Sequence, residues 1–176
     1  MGKTHLIRKF CAKHAEDYAA APTLTTRLPK PGERCVGVTQ VLVCRKVFER
    51  LIALGAFVEW TRVGNDYHGT TKRAVKELEA AGKIVLVEVA AANVIWAKAA
   101  LDCRSVFLLP PTLDELEDRI RRGGIEDEAL IQEMIQQTMV DSEYAQTADE
   151  WVFEHFAVNA ELVKAFEQVE DFVLEQ

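Results

Sequence analysis

The sequence predicts an α/β fold, a parallel sheet wrapped by helices, with an inserted, more β-rich segment between Thr23 and Thr70. Three observations predict it. Helical and strand patterns alternate along the chain. Apolar runs such as Ile84–Val87 and Val106–Leu109 have strand length and suit strands covered on both faces. Glycine or proline punctuates most of the junctions between patterns.

The elements follow in order. Lys3 to Tyr18 reads as a helix with Leu6, Ile7, Phe10 and His14 on one side. Pro22 to Gly37 is rich in Thr, Pro and Gly and reads as loop. Val38–Val43 reads as a strand, Arg45–Leu54 as a helix closed by Gly55, and Phe57–Val63 as a strand before a Gly64–Asn65–Asp66 turn. Thr71–Ala81 is a helix closed by Gly82, Ile84–Val89 a strand, Ala91–Ala100 a helix and Val106–Leu109 a second buried strand. Pro110–Pro111 breaks the chain before a Leu113–Arg122 helix that ends at Gly123–Gly124. Glu126–Tyr144 is a long helix with Ile131, Met134, Ile135 and Thr138 on one face. Phe153–Val158 reads as a last strand. Ala160–Leu174 is a helix with Leu162, Phe166, Val169 and Val173 on one stripe.

Composition narrows the function. The chain of 176 residues is 49% apolar and 28% charged, which is the profile of one globular domain. No apolar run approaches the ~20 residues of a membrane span. No apolar leader follows Met1, so the cytosol is the expected compartment, with no membrane partner. A net charge of −7 argues against nucleic acid as a partner, while leaving room for a local cationic pocket. Cys11, Cys35, Cys44 and Cys103 lack the clustered spacing of a zinc site and read as incidental thiols.

The chain opens Met1-Gly2-Lys3-Thr4-His5-Leu6 and runs straight into the first helix. Gly-Lys-Thr before a helix is the second half of a phosphate-binding loop, GxxxxGK[ST]. Backbone amides and a helix N-terminus cradle phosphate oxygens there. The lysine neutralises charge, and the hydroxyl serves a magnesium ion. The strand and first glycine of that pattern are not in the sequence, so an incomplete amide nest and a sheet one strand short are expected.

Other segments point the same way on their own chemistry. Arg27 and Lys30 sit in the Pro/Gly-rich loop, where cations and backbone can approach a phosphate or simply be solvated. Glu59 lies in a strand before Trp60. A carboxylate there can accept two N–H bonds from a guanine edge, which adenine does not offer, or it can face solvent. Tyr67, His68 and Thr70 bring hydroxyl and imidazole groups beside Gly69.

Together these segments resemble the guanylate kinase family. Thr25-Thr26-Arg27-Leu28-Pro29-Lys30-Pro31-Gly32-Glu33 is similar to its TTRxPRxGE, and Gly55-Ala56-Phe57-Val58-Glu59-Trp60 to its GxFxEW. Gly64-Asn65-Asp66-Tyr67-His68-Gly69-Thr70 is similar to its GNYYGT with one residue added. Pro110-Pro111-Thr112 with Leu113, Leu116 and Arg119 resembles PPSxxxLxxRL, and Phe156–Leu162 resembles VxVNDDL. The motifs stand in the family's order over nearly the whole chain.

The resemblance implies a P-loop kinase-like single domain, 1–176. Its core is 1–22 and 71–176, its GMP-binding lobe 23–70, and its helical lid about 119–135. It implies that Arg27 and Lys30 bind the phosphate of GMP. Thr23, Glu59 and Thr70 read the base, with Tyr67 and His68 beside them, and Glu33 and Glu88 line the pocket. Gly2, Lys3 and Thr4 would hold the ATP phosphates, with Thr4 on Mg²⁺ and Asn159 near the nucleotide. Lys3, Arg119 and Arg122 are the expected catalytic cations. The chain departs from the family at Lys30, Gln40 and His68, which replace an arginine and two tyrosines, and at Ala90, Ala92, Gly123 and Met134 in the acidic run and lid.

The expected activity is Mg²⁺-dependent transfer from ATP to GMP by a monomer. The alternatives are a catalytically silent module that binds a phosphorylated peptide in the old GMP pocket, and a kinase for AMP or UMP.

Overall fold

The structure is a computed structural model that describes residues 2–28 and 40–175. It forms two compact units, one of residues 3–103 and one of residues 104–175 together with Gly2. Among the described residues no helix is long and apolar enough to cross a membrane.

The first unit opens with helix α1, Lys3–Lys13, which buries Leu6 and Phe10. The helix stops short of the expected Tyr18, because Tyr18–Ala20 forms strand β1 instead, paired in parallel with β6, Ile84–Leu86. The periodicity that extends to Tyr18 is real, since its ring packs edge-on against Phe10 at 5.0 Å, but from a strand. A ladder to an apolar partner outweighs the helical pattern of the last turn. β6 is also shorter than the expected Ile84–Val89. Val87 and Val89 still pack on the core formed by Ala21, Val58, Val75 and Ala97.

A four-stranded sheet occupies the rest of this unit, in the order β3-β2-β5-β4. β2 is Thr23–Thr25, β3 Gln40–Leu42, β4 Phe57–Val63 and β5 Asp66–Thr71. Residues 38 and 39 of the expected third strand lie outside the described residues. β5 was legible from sequence only as a turn and a polar motif. It is a strand because Gly64 takes φ +59° in a two-residue connection that folds β5 antiparallel onto β4. Gly69 is required here: a Cβ would fall 2.7 Å from the Glu59 carbonyl and from Trp60 Cβ. Helix α2, Arg45–Ala53, covers one face of the sheet with fully buried Phe48, stacked on Phe57 at 4.5 Å and on Tyr67 at 5.2 Å. Helix α3, Lys72–Ala80, is capped by the Thr71 hydroxyl, which accepts from Ala74 N at 3.2 Å. A 3₁₀ turn, Ala91–Asn93, leads into helix α4, Val94–Ala100.

In the second unit β7, Val106–Leu109, pairs in parallel with β8, His155–Val158. Helix α5, Leu113–Arg122, starts at Thr112, whose hydroxyl accepts from Glu115 N. Helix α6, Glu128–Thr147, starts at Asp127, whose carboxylate accepts from Ala129 N and Leu130 N. It begins two residues later than expected and runs past Tyr144. Leu116 and Ile120 of α5 pack with Ile131 of α6 in a small core. Helix α7, Leu162–Leu174, buries Ala165 and Phe166.

Candidate functional site

Sheet register builds the first cluster. Thr70 of β5 stands opposite Thr23 of β2 on one side and Glu59 of β4 on the other. Directly opposed residues share a face, so Thr23, Thr70 and Glu59 form one row across three strands. His68, two residues back along β5, lies on the same face, opposite Thr25 and Thr61. Thr70 is 1% exposed and Glu59 6%.

A buried carboxylate needs partners. Asn93 Nδ2 lies 3.4 Å from Glu59 Oε2 and donates to the Trp60 carbonyl at 3.0 Å. The Thr70 amide also donates to Glu59. Burial nevertheless raises the Glu59 pKa above the usual carboxylate range, and the negative charge of Glu88 adds to that. The Asn93 and Thr70 hydrogen bonds and the Lys3 ammonium pull the other way. The charges of Lys3 and Glu88 therefore both act at Glu59. Thr4 joins them: its hydroxyl donates to Glu88 Oε2 at 2.7 Å. The start of α1 and the Glu59 row are therefore brought together.

His68 is half-buried, and its pKa is lowered by burial first and by the Arg27 guanidinium second, with Asp66 opposing. Arg27 and His68 are thus neighbours on the side of the row toward the end of β2. Lys30 and Glu33 lie outside the described residues.

Tyr67 is not brought to the row. Alternation places it on the opposite face of β5, where it stacks on Phe48, meets Trp60 edge-on at 5.9 Å and lies under the Arg45 guanidinium at 5.1 Å. Its place is in the α2 side of the sheet, so its ring packs against that side.

The second unit holds a separate group. Gly2 takes φ +89°, and a Cβ there would fall 2.8 Å from Asn159 Nδ2. The two residues expected beside ATP phosphates are therefore in contact, and only glycine fits. Asn159 is buried at the end of β8, its amide donating to Leu109 O at 2.9 Å. Arg119 secures that end of the chain. Its Nη1 and Nη2 donate to the carbonyls of Asn159 and Ala160 at 2.8 and 2.9 Å, and its Nε pairs with Glu115 at 2.8 Å. Arg122 pairs with Asp118 at 3.5 Å, and Arg121 with Glu117 and Glu128. These are surface ion pairs, individually worth about 0–1 kcal/mol, so they restrain the arginines only weakly.

Asn93 is the site residue that sequence reasoning passed over. It stands at the end of the run Val87–Asn93, and its partner carboxylate lies 34 positions earlier. The one available signal was a lone amide between an alanine run and a helix.

Comparison with known proteins agrees with the motifs. The family model described as guanylate kinase matches residues 1–176. A guanylate kinase of Schizosaccharomyces pombe is 31% identical over 175 residues, covering 99% of this chain and 85% of that protein. One from Nostoc is 35% identical over 171 residues, covering 97% and 82%. The crystal structure of guanylate kinase from Anaplasma phagocytophilum superposes with a TM-score of 0.68 at 17% identity, covering 97% of this chain and 80% of that one, a likeness of fold. On the match over its whole length, this chain belongs to the guanylate kinase family.

Proposed function

We propose that this chain transfers the terminal phosphoryl group of ATP to GMP, yielding ADP and GDP. The observation that carries the reading is the row Thr23–Thr70–Glu59, with Thr70 and Glu59 buried, and Lys3 and Thr4 beside it. Glu59 accepts the two N–H groups of the guanine edge, and the Thr23 and Thr70 hydroxyls complete base recognition. Adenine presents no such pair of donors to a carboxylate, so a dry site built on Glu59 selects guanine over AMP or UMP. Arg27 and Lys30 grip the phosphate, with His68 beside Arg27. Glu33, outside the described residues, is assigned to the same pocket by its motif alone.

Gly2, Lys3 and Thr4 hold the ATP phosphates at the start of α1, where helix amides favour anions. Asn159 supports Gly2. Magnesium fits the residues present. Among the described residues no group of three or more His, Cys, Asp or Glu could cage a metal. Mg²⁺ is held by one or two protein oxygens together with substrate phosphates, and Thr4 and Glu88 offer two such oxygens 2.7 Å apart. When bound, the ion neutralises phosphate charge. The protein needs no covalent intermediate; it positions two nucleotides and stabilises charge. Arg122, on the proposed lid of residues 119–135, is held only by surface pairs and is the cation proposed for the transferring group.

A silent peptide-binding module is the weaker reading, since relatives bearing the enzyme's name match over most of their length. The test is ADP production from ATP, Mg²⁺ and GMP. Turnover that Arg27→Ala abolishes supports the kinase. Phosphopeptide binding with no turnover would overturn it.

A further inference from the structure

We propose that Asn93 is a positioning residue for base selection, its side-chain amide fixing the direction of the Glu59 carboxylate from the adjoining 3₁₀ turn. This rests on Glu59 being the guanine acceptor. Asn93 closes the turn Ala91–Asn93 directly before α4. Its Nδ2 lies 3.0 Å from the Trp60 carbonyl and 3.4 Å from Glu59 Oε2. One amide group therefore serves the backbone and the side chain of consecutive residues of β4. Both partners are acceptors, so only the nitrogen end of the amide suits the place. A flipped amide would set its oxygen against a carbonyl and a carboxylate.

The restraint matters at this point of the strand. The β4–β5 register is irregular between Phe57 and Glu59, so the pleat alone aims the Glu59 side chain less strictly. A glutamate has several rotatable bonds, and ordering them on binding costs affinity. The shorter bond to the Trp60 carbonyl anchors the amide, and the longer one restrains a single carboxylate oxygen before the base arrives. The other oxygen keeps its capacity for guanine. The Asn93 bond also offsets part of the burial that disfavours the charged form of Glu59.

A double-mutant cycle on GMP binding tests this with the whole chain, using calorimetric dissociation constants for wild type, Asn93→Ala, Glu59→Gln and the double variant. Asn93→Ala should weaken GMP about fivefold, and that effect should vanish in the Glu59→Gln background. An equal weakening in both backgrounds means a general structural role and overturns the proposal. So does an unchanged constant in Asn93→Ala when Glu59→Gln alone weakens binding. If Glu59→Gln leaves GMP binding unchanged, the guanine-acceptor reading falls, and the role of Asn93 falls with it. Should Asn93→Ala fail to fold, Asn93→Asp keeps the shape while replacing the donor with an acceptor, and the same cycle is read from it.

Discussion

The Thr4 hydroxyl donates to Glu88 Oε2 at 2.7 Å, joining the first turn of α1 to the segment that follows β6. If Thr4 and Glu88 serve Mg²⁺ as proposed, Glu88 both orients the Thr4 hydroxyl through this bond and offers an oxygen of its own. Glu88→Gln keeps the shape and weakens both roles. Removal of a group that orients a metal ligand commonly costs 10–100-fold. Titration of turnover against Mg²⁺ should show a half-saturating concentration raised about tenfold or more. Thr4→Ser, which keeps the hydroxyl, should stay near wild type.

Glu59 links function to stability with a definite sign. Its folded-state pKa is raised above the ordinary 4.5, chiefly by burial. Between the unfolded and folded values the native state binds more protons, so stability falls as pH rises through that window. Above that window the charged carboxylate carries the burial penalty, and the proposed base recognition would be the reason to keep it. Glu59→Gln removes that cost. The variant should melt higher than wild type at pH 7, and the gap should close as pH falls below about 4.5, the ordinary value. The same variant should bind GMP more weakly by about 1–3 kcal/mol, through loss of charge-assisted bonds. Thermal denaturation across pH and calorimetry check the two halves separately.

His68 sits beside Arg27, and burial with that guanidinium holds its pKa below 6.5. The lowering favours the neutral imidazole in the free protein. A bound phosphate dianion would favour the imidazolium and raise the pKa in the complex. Binding would then take up protons, and GMP affinity would grow as pH falls toward 6. Calorimetry in two buffers of different ionisation enthalpy measures the uptake. His68→Gln should reduce it to the share of the phosphate itself.

How far the sequence could be read depended on the range of the forces involved. β4 and α3 were legible because alternation, a glycine stop and the cap at Thr71 act within a few residues. β1 was hidden because Tyr18 keeps helical spacing, and only its pairing with Ile84, far along the chain, makes it a strand. β5 was hidden because Tyr-His-Gly-Thr lacks an apolar face until β2 and β4 enclose it. Among site residues, Glu59 and Thr70 were visible as motif members and Thr23 only through the family resemblance, and the register explains why they belong together. Tyr67 belonged to the same motif, yet it faces the other way, since neighbours along a strand alternate. Asn93 left only a lone amide as a trace, because its meaning is a contact with a strand far along the chain.

Phe48 is the position where packing on the α2 side of the sheet can be tested. It is fully buried, stacked on Phe57 with an interplanar angle of 24° and on Tyr67 at 15°. Phe48→Ala removes both stacks and leaves a cavity that rigid strands close poorly. The expected loss is about 3–5 kcal/mol by denaturant titration. Phe48→Leu should lose less, since it refills most of the volume.

Arg119 was expected among the catalytic cations, but its guanidinium is already committed to Glu115 and to the carbonyls of Asn159 and Ala160. Those carbonyls end β8 beside the residue that contacts Gly2. The geometry therefore gives Arg119 the task of holding Asn159 in place. Arg119→Ala should cost roughly 1–3 kcal/mol of stability, from the charge-assisted bonds it makes to two carbonyls. It should raise KM for ATP more than it lowers kcat, because loosening Asn159 disturbs the ground-state phosphate grip. Arg119→Lys can satisfy one carbonyl and should recover part of both. A fall in kcat of ~10³-fold with stability unchanged would instead put the guanidinium on the transferring phosphoryl group, the signature of a transition-state arginine.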